Sequence, residues 1–357
     1  MSRIVIAPDS FKGSATSIEV AAAIAKGWKS VRPNDEVLQI PFADGGEGTL
    51  LAIEYGRPDA QRMYCPEVSP DAYWLLLDGS TAIIELAQVS GLTLLPVLDP
   101  LGAHTFAFGQ VLAIAARDPR VEQIYCALGG SASTDAGVGA LIALGFEFLD
   151  STDQSISLGG AQLSKIASIS NNAAILPPKG GITLLVDVDS PLLGIHGAVS
   201  VFAPQKGATR EHVVQLEIAL THFAEIANKP DFAGGGAAGG TAFGLCALWG
   251  ATIENGAAKI AELADFDAAM LGADLIITGE GRLDSQSFKG KVVGYITGRA
   301  TLAGVPTALC VGSVEGDFPA SSIGGVSLTD IAGSSVLAMQ NPEKYLFEAG
   351  VQLAHFI

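Results

Sequence analysis

The chain has 357 residues, 49 % of them hydrophobic and only 16 % charged, with 43 glycines and a formal net charge of −17. That length exceeds one ordinary core and suits two α/β domains, and the charged fraction lies well below the ~25 % of a typical soluble chain, which excludes a disordered or fibrous protein. The acidic balance repels nucleic-acid backbones and small anions alike, so no nucleic-acid partner is expected, and any anion site must be made locally positive by Lys, Arg, backbone N–H groups or a metal ion.

Ile4-Val5-Ile6 reads as a buried strand. Thr16 and Glu19 form a T-x-x-E capping box, and Ile18, Ala21, Ala22, Ala25 and Trp28 carry a helical apolar face to Val31. A turn at Pro33-Asn34-Asp35 leads to a strand at Val37–Ile40, and Thr49 to Tyr55 looks helical. Strand, helix, strand, helix argues for a parallel sheet. Tyr73–Leu77 and Ala82–Leu86 flank Asp78-Gly79-Ser80, a hairpin signal. A helix is expected over Thr105–Ala116, a strand over Ile124–Leu128 and a helix ending at Leu144. Residues 149–160 and 167–178 read as irregular or short strands. A strand follows at Thr183–Val188, a helix at Glu211–Ile226, and a glycine-rich loop, Gly234–Gly240, before a helix containing Leu245 and Trp249. Strands at Leu275–Thr278 and Thr307–Val311 and helices at Lys291–Leu302 and Pro342–Ile357 complete the chain. The two ends look alike and the middle does not. The expected architecture is therefore α/β: a discontinuous flavodoxin- or Rossmann-like parallel-sheet domain from residues 1–60 and 261–357, with a second α/β domain, 61–260, inserted.

Chemistry-bearing residues cluster after strands, where open α/β sheets bind ligands. The densest group follows Leu275-Ile276-Ile277: Glu280, Arg282, Asp284, Gln286, Lys289 and Lys291, with Gly279 and Gly281 permitting close backbone approach. This crowd of charges suits a polar, phosphorylated ligand. After the first strand, Asp9, Ser10 and Lys12 offer a carboxylate, a hydroxyl and a cation, or else only a helix cap. After the second, Asp44 and Glu47 stand among three glycines, suited to Mg²⁺ or substrate hydroxyls, or to a turn with Glu47 at a helix N-terminus. Gly129-Gly130-Ser131-Ala132-Ser133-Thr134-Asp135 offers N–H groups and hydroxyls to an anion, or an N-cap at Ser133 or Thr134. Asp187 closes a strand as a candidate base, or forms an Asx turn before Pro191. Lys206 sits in a turn.

Other chemistries find little support. No P-loop, HExxH or GxSxG signature occurs. Gly234-x-Gly236-x-x-Gly239 fits GxGxxG, but Lys229-Pro-Asp-Phe-Ala233 before it is no strand, so the dinucleotide context fails. The loop is expected to pack closely at a helix N-terminus, where a phosphate could still meet its N–H groups. The five histidines complete no catalytic spacing. Cys65, Cys126, Cys246 and Cys310 lack zinc spacing, and three of them sit in apolar surroundings and read as core residues of a reducing compartment. No run approaches the roughly 18 apolar residues of a membrane span, and Arg3-Ile-Val-Ile-Ala-Pro8 has no signal-peptide layout. A cytoplasmic protein without a membrane partner is expected, and a homodimer is left open.

In order, Ala7-Pro-Asp-Ser-Phe-Lys12, Asp44-Gly-Gly-Glu-Gly-Thr49, Gly129-Gly-Ser-Ala-Ser-Thr-Asp135, Asp187 with Ser190-Pro-Leu, Pro204-Gln-Lys-Gly207, Gly236-Ala-Ala-Gly-Gly240 and Gly279-Glu-Gly-Arg-Leu-Asp284 with Gln286 and Gly290-Lys291 resemble the bacterial type I glycerate kinase family over nearly the whole chain. The resemblance implies ATP-dependent, Mg²⁺-requiring phosphorylation of D-glycerate, mostly at the 2-hydroxyl. It also implies a flavodoxin-like domain from both chain ends and an inserted α/β domain, with the active site between them. The chain departs from the family at Thr134 and Ser190, at Val292-Val293, and at His104–Gln110, where the family's glutamate is replaced by Gln110. These changes bear on substrate preference more than on reaction type.

On this reading Asp187, Lys12 and Arg282 are the catalytic candidates, with Asp187 accepting the hydroxyl proton. Asp9, Ser10, Asp44, Glu47, Gly130, Ser131, Asp135, Lys206, Gly236, Gly239, Glu280, Gln286 and Lys291 are candidates for binding substrate or nucleotide. Asp44, Glu47 and Asp284 are candidates for Mg²⁺. Arg282, with its planar fork, is the first choice for the substrate carboxylate. Two rivals remain besides a 3-phosphate product: a Rossmann oxidoreductase of a small hydroxy acid, and a non-catalytic sensor of a small acid.

Overall fold

Short apolar runs become strands here because both of their faces are covered. The computed structural model of the chain describes residues 1–285, 287–288 and 290–357. Its strands are β1 (Arg3–Ile6), β2 (Glu36–Gln39), β3 (Gln61–Tyr64), β4 (Tyr73–Leu77), β5 (Thr81–Glu85), β6 (Gln123–Ala127), β7 (Glu147–Leu149), β8 (Ser168–Ser170), β9 (Ile182–Val186), β10 (Thr252–Asn255), β11 (Leu275–Thr278), β12 (Arg282–Leu283), β13 (Thr307–Val311), β14 (Ser313–Val314) and β15 (Gly324–Ser327). Two compact units are present. The first comprises residues 1–44, 51–58 and 255–357, and the second residues 45–50 and 59–254.

The first unit is built on a five-stranded sheet, β15-β13-β11-β1-β2. All its pairings are parallel, with Ile4 opposite Leu275 and Val37, and Ile276 opposite Thr307. Counting these strands alone, the order is the flavodoxin-like 2-1-3-4-5, whose switch point falls between β1 and β11. Ile4, Val5, Ile6, Leu275, Ile276 and Ile277 are fully buried, which explains why their runs do not alternate with polar residues. Helix Ser17–Val31 starts where its capping box requires: Thr16 Oγ1 accepts from the Glu19 N–H at 3.2 Å, and Glu19 Oε2 accepts from the Thr16 N–H at 2.9 Å. Gly279, just beyond β11, runs so close to β13 that a Cβ would lie 1.6 Å from the Cys310 carbonyl oxygen.

The second unit carries a six-stranded sheet, β10-β9-β6-β5-β4-β3. Strands β5, β6 and β9 run parallel, and β4 and β3 are added antiparallel. The expected hairpin joins β4 to β5, with Asp78 and Gly79 at φ 50 and 72°, the paired positive angles of a tight hairpin turn. Of the stretches read as irregular or short strands, 149–160 and 167–178, the second holds β8, which pairs antiparallel with β7 (Glu147–Leu149), and a 3-10 turn at Gly160–Lys165 lies between them. All four cysteines are buried and free.

The sequence reading missed β3, β10 and β15. Gln61-Arg-Met-Tyr64 is an edge strand with mostly exposed side chains, and Gly324-Gly-Val-Ser327 has the composition of a turn. The last helix ends at Leu353 rather than Ile357. Among the described residues no helix is long and apolar enough to cross a membrane.

The Gly279 contact gives a paired prediction. Gly279→Ala should destabilise the chain by about 1–3 kcal/mol or more, because backbone must move to admit the methyl group. Gly298, inside helix Val292–Ala303, has open space where a Cβ would stand, and should accept alanine with a gain of about 0.5–1 kcal/mol. Urea unfolding of both variants checks the opposite signs.

Candidate active site

In the first unit, the loops leaving β1, β2, β11 and β13 meet at the carboxyl edge of the sheet. The Asp9 N–H donates to the Gly279 carbonyl at 2.8 Å, the Phe42 N–H to Pro8 at 2.8 Å and the Gly312 N–H to Glu280 at 3.0 Å. These bonds continue the sheet's side-by-side order into the loops. A cavity of about 370 Å³ opens there, lined by Asp9, Ser10, Lys12, Asp44, Glu280, Arg282, Asp284 and Lys291 and also by Phe11, Leu328, Ala338 and Met339. That volume lies in the range of small-molecule sites, ~300–1,000 Å³.

The cavity holds charges of both signs. Asp9, Asp44 and Glu280 are each more than nine-tenths buried. Burial, then the neighbouring Asp44 carboxylate, pushes the Asp9 carboxyl well above the usual carboxylate range, against the opposing Ser10 N–H and Lys12. Burial also raises Glu280, opposed by the Ser287 hydroxyl and Lys291 and reinforced by Asp284 and Asp44. Among the described residues, Glu280 Oε1 is buried and has no hydrogen-bond partner, which is uncommon for a buried polar atom. On the basic side, Lys12 is exposed and Lys291 half-buried at the start of helix Val292–Ala303. Exposed Arg282 pairs with Glu315 at 2.9 Å.

Oxygen donors of this kind fit Mg²⁺, which usually takes one or two carboxylates and completes its shell with water and phosphate oxygens. Among the described residues, no group of three or more His, Cys, Asp or Glu could hold a metal ion by itself.

In the second unit, the loop of residues 45–50 lies across the carboxyl ends of β5, β6 and β9. Glu85 at the end of β5 accepts from the N–H groups of Gly48 and Leu50, both at 3.0 Å. The Gly129 N–H, just past β6, donates to the Gly45 carbonyl at 2.9 Å. A Cβ on Gly45 would stand 3.0 Å from the carbonyl oxygen of Leu185 in β9. Glu47 is exposed in this loop, Gly130 is exposed, and half-buried Asp187 directly follows β9. Ser131 Oγ and Ser133 Oγ lie 3.0 Å apart.

Several glycine-rich and charged candidates prove to be occupied by packing. The Asp135 carboxylate accepts from the Thr105 N–H and hydroxyl, both at 2.8 Å, and from the Gly137 and Gly139 N–H groups at 3.1 Å. It thus ties helix Phe106–Arg117 to helix Val138–Ala143. Lys206 is buried and donates to the Ser133 carbonyl. Burial pulls its ammonium down to about 8, with Asp135 acting the other way. The Gly236 N–H donates to Ser190 at 2.9 Å and the Gly240 N–H to Gly236 at 3.2 Å, while a Cβ on Gly239 would meet the Ser133 carbonyl oxygen at 2.0 Å. The expected helix N-terminus is also interrupted, since Ala238, Gly239 and Gly240 have left-handed angles. These glycines bring two backbones together and spend N–H groups on that contact.

The structure therefore gathers Asp9, Ser10, Lys12, Asp44, Glu280, Arg282, Asp284 and Lys291 around one cavity. It sets Glu47, Gly130, Ser131 and Asp187 at one sheet edge of the second unit. Gln286 lies outside the described residues. Sequence reasoning missed Gly312, Ser313, Leu328 and Thr329 as lining residues, although Val311-Gly-Ser313 repeats the pattern of an apolar strand ending in small residues. It also missed Glu85, whose signal was a carboxylate closing a buried apolar run.

Glu280 provides a pH test. Its carboxyl is raised in the folded state, so its contribution to stability is greatest below the ordinary glutamate value and declines as pH rises through the folded one. Glu280→Gln should therefore melt at a higher temperature than the unsubstituted chain at pH 8. The difference should vanish near pH 4, as thermal melts across pH will show.

Residues 4–357 match the model of the glycerate kinase family. A glycerate kinase of Haemophilus influenzae is 39 % identical over 333 residues, covering 88 % of this chain and 87 % of that protein. The glycerate 2-kinase of Escherichia coli K12 is 37 % identical over 307 residues, covering 81 % of this chain and 80 % of that protein. A solved structure from Salmonella typhimurium LT2, described as glycerate kinase 2, superposes with a TM-score of 0.80 at 34 % identity, over 99 % of this chain and 97 % of that one. The chain thus belongs to the glycerate kinase family.

Proposed function

We propose that this protein transfers the γ-phosphoryl group of ATP to the 2-hydroxyl of D-glycerate, with Mg²⁺, in the cytoplasm. The observation that carries the proposal is the cavity of the first unit. Its carboxylates and its cations Lys12, Arg282 and Lys291 converge at the sheet's switch point, in a chain whose relatives are named glycerate kinases. About 370 Å³ is far more than a three-carbon acid needs. The cavity's charged residues suit a triphosphate, and its apolar residues Leu328, Ala338 and Met339 suit a nucleobase. The 2-position is favoured by the relative named glycerate 2-kinase.

Phosphoryl transfer demands positioning and charge neutralisation more than covalent help from the protein. Lys12 and Lys291 offset phosphate charge. Arg282, paired with Glu315 at the rim, can exchange that carboxylate for an anionic ligand. Asp44 and Asp284, with Glu47 as the further candidate, would hold Mg²⁺, which when bound neutralises phosphate oxygens. Asp187, at the end of β9, accepts the proton of the attacking hydroxyl. The new bond joins that oxygen to the γ-phosphorus, the bond from γ-phosphorus to the bridging oxygen breaks, and ADP leaves.

Incubation with ATP, Mg²⁺ and D-glycerate should release ADP, read by a coupled assay, and yield 2-phosphoglycerate by phosphorus NMR. A 3-phosphate product would overturn the regiochemistry, and no ADP release the kinase reading itself. Asp187→Asn should lower kcat about 10²- to 10⁴-fold with little change in KM for glycerate. Near-normal turnover would remove Asp187 as the base. Lys12→Ala should raise KM for ATP more than KM for glycerate, as initial rates at varied concentrations of each will show.

A further inference from the structure

Glu85 stands apart from every group discussed above as a reactant or ligand. It closes β5 and is only 7 % exposed. Its two carboxylate oxygens each take one N–H, Gly48 on Oε1 and Leu50 on Oε2, both at 3.0 Å. These donors belong to the first turn of helix Thr49–Gly56, where N–H groups have no partner within the helix and a carboxylate is favoured. The loop that ends there is also held by the Gly129 N–H, which donates to the Gly45 carbonyl, by the close approach of Gly45 to Leu185, and by the Thr49 hydroxyl, which donates to the Gly46 carbonyl at 2.7 Å. Glu85 thus contributes a carboxylate from outside the loop that bonds the segment between Gly45 and Leu50 at two N–H groups, and Glu47 lies in the middle of that segment.

A carboxylate is a costly way to cap a helix at this depth. Burial pushes Glu85 up to about 7, despite the opposing Leu50 and Gly48 N–H groups, and the charge of Glu47 adds to the rise. The residue opposite Glu85 on β6 is Ala127, Thr49 and Leu50 are uncharged, and the charged neighbour that acts on it, Glu47, has the same sign. A folded-state value raised in this way means that stability is greatest with Glu85 protonated and declines as pH rises from the ordinary glutamate range through about 7. At pH 8 the charge weakens the fold, and an explanation by stability alone fails to account for it.

We propose that Glu85 is a positioning residue: by accepting from Gly48 and Leu50 together it holds the loop so that Glu47 keeps the arrangement used in phosphoryl transfer. The proposal rests on the kinase reading above and adds a residue that touches neither substrate nor nucleotide. Glutamine at this position has one acceptor oxygen, and its amide NH₂ would face the second N–H. Glu85→Gln should therefore loosen the loop while removing a buried charge.

The test combines kinetics, melting and amide exchange on the full chain. At pH 8, Glu85→Gln should melt no lower than the unsubstituted protein. Its kcat should fall about 10- to 100-fold, the scale of a small misplacement at a reacting centre, while KM for ATP stays within about twofold. Glu85→Asp, which keeps the carboxylate on a shorter arm, should recover part of kcat. Hydrogen–deuterium exchange followed by mass spectrometry should show reduced protection of residues 45–50 in Glu85→Gln. Normal kcat in Glu85→Gln, or a kcat loss matched by an equal loss of folded protein, overturns the proposal. Should the unsubstituted protein make no phosphoglycerate, the kinase reading fails on its own, and unchanged exchange at residues 45–50 would then separately overturn the hold assigned to Glu85.

Discussion

The first unit depends on how closely two adjacent strands can leave their sheet. Beyond β11 the chain passes the Cys310 carbonyl with no room for a side chain at Gly279. On its other side the Gly279 carbonyl accepts from the Asp9 N–H. One residue without a Cβ thus ties the exits of β1, β11 and β13 together at the switch point. Glu280 follows at once, and its carbonyl binds the Gly312 N–H while its carboxylate enters the cavity. A larger residue at 279 would shift the wall on which Glu280, Arg282 and Asp284 are mounted, so the geometry of the charges is set by a steric contact between backbones.

Those charges are gathered at some energetic cost. A chain of net charge −17 has buried three carboxylates, Asp9, Asp44 and Glu280, within mutual electrostatic reach. Burial and like-charge repulsion both disfavour their ionised forms. Lys12 and Lys291 relieve part of this, yet Glu280 Oε1 has no hydrogen-bond partner among the described residues. A divalent cation would compensate the carboxylates, and an anionic ligand would occupy the cations. Polyphosphate with Mg²⁺ supplies both at once, which is why the cavity favours that reading over a neutral ligand or a lone carboxylate.

Much of the fold and part of the site were legible in the sequence, for definable reasons. Leu275–Thr278 and Thr307–Val311 are strands at the residues expected, because fully buried parallel strands leave continuous apolar runs. Thr16 and Glu19 announce a helix start through local chemistry alone. Residues that follow such strands, Asp9, Asp44, Glu280 and their neighbours, were found by position. What escaped depended on packing across long sequence separations. β15 reads Gly-Gly-Val-Ser, so the cavity-lining Leu328 and Thr329 after it had no strand to announce them. Asp135 looked like a ligand residue beside glycines, but the four donors that fill its carboxylate include Thr105, thirty residues away. Glu85 carried no motif, and only the fold brings it to Gly48 and Leu50.

The same distinction separates two meanings of a glycine-rich stretch. Glycines before a helix commonly signal N–H groups turned toward a phosphate. At Gly236 and Gly240 the N–H groups instead bond Ser190 and Gly236, and Gly239 presses against Ser133. At Gly129 the N–H serves Gly45. A backbone donor already bonded internally can take a phosphate oxygen only by giving up its partner, with little net gain. On the proposed function, these glycines of the second unit are therefore poor phosphate cradles, while the first-unit cavity offers the side-chain cations Lys12, Arg282 and Lys291. Side-chain cations on a strongly acidic protein act over short range, so their effect is concentrated in the cavity they line.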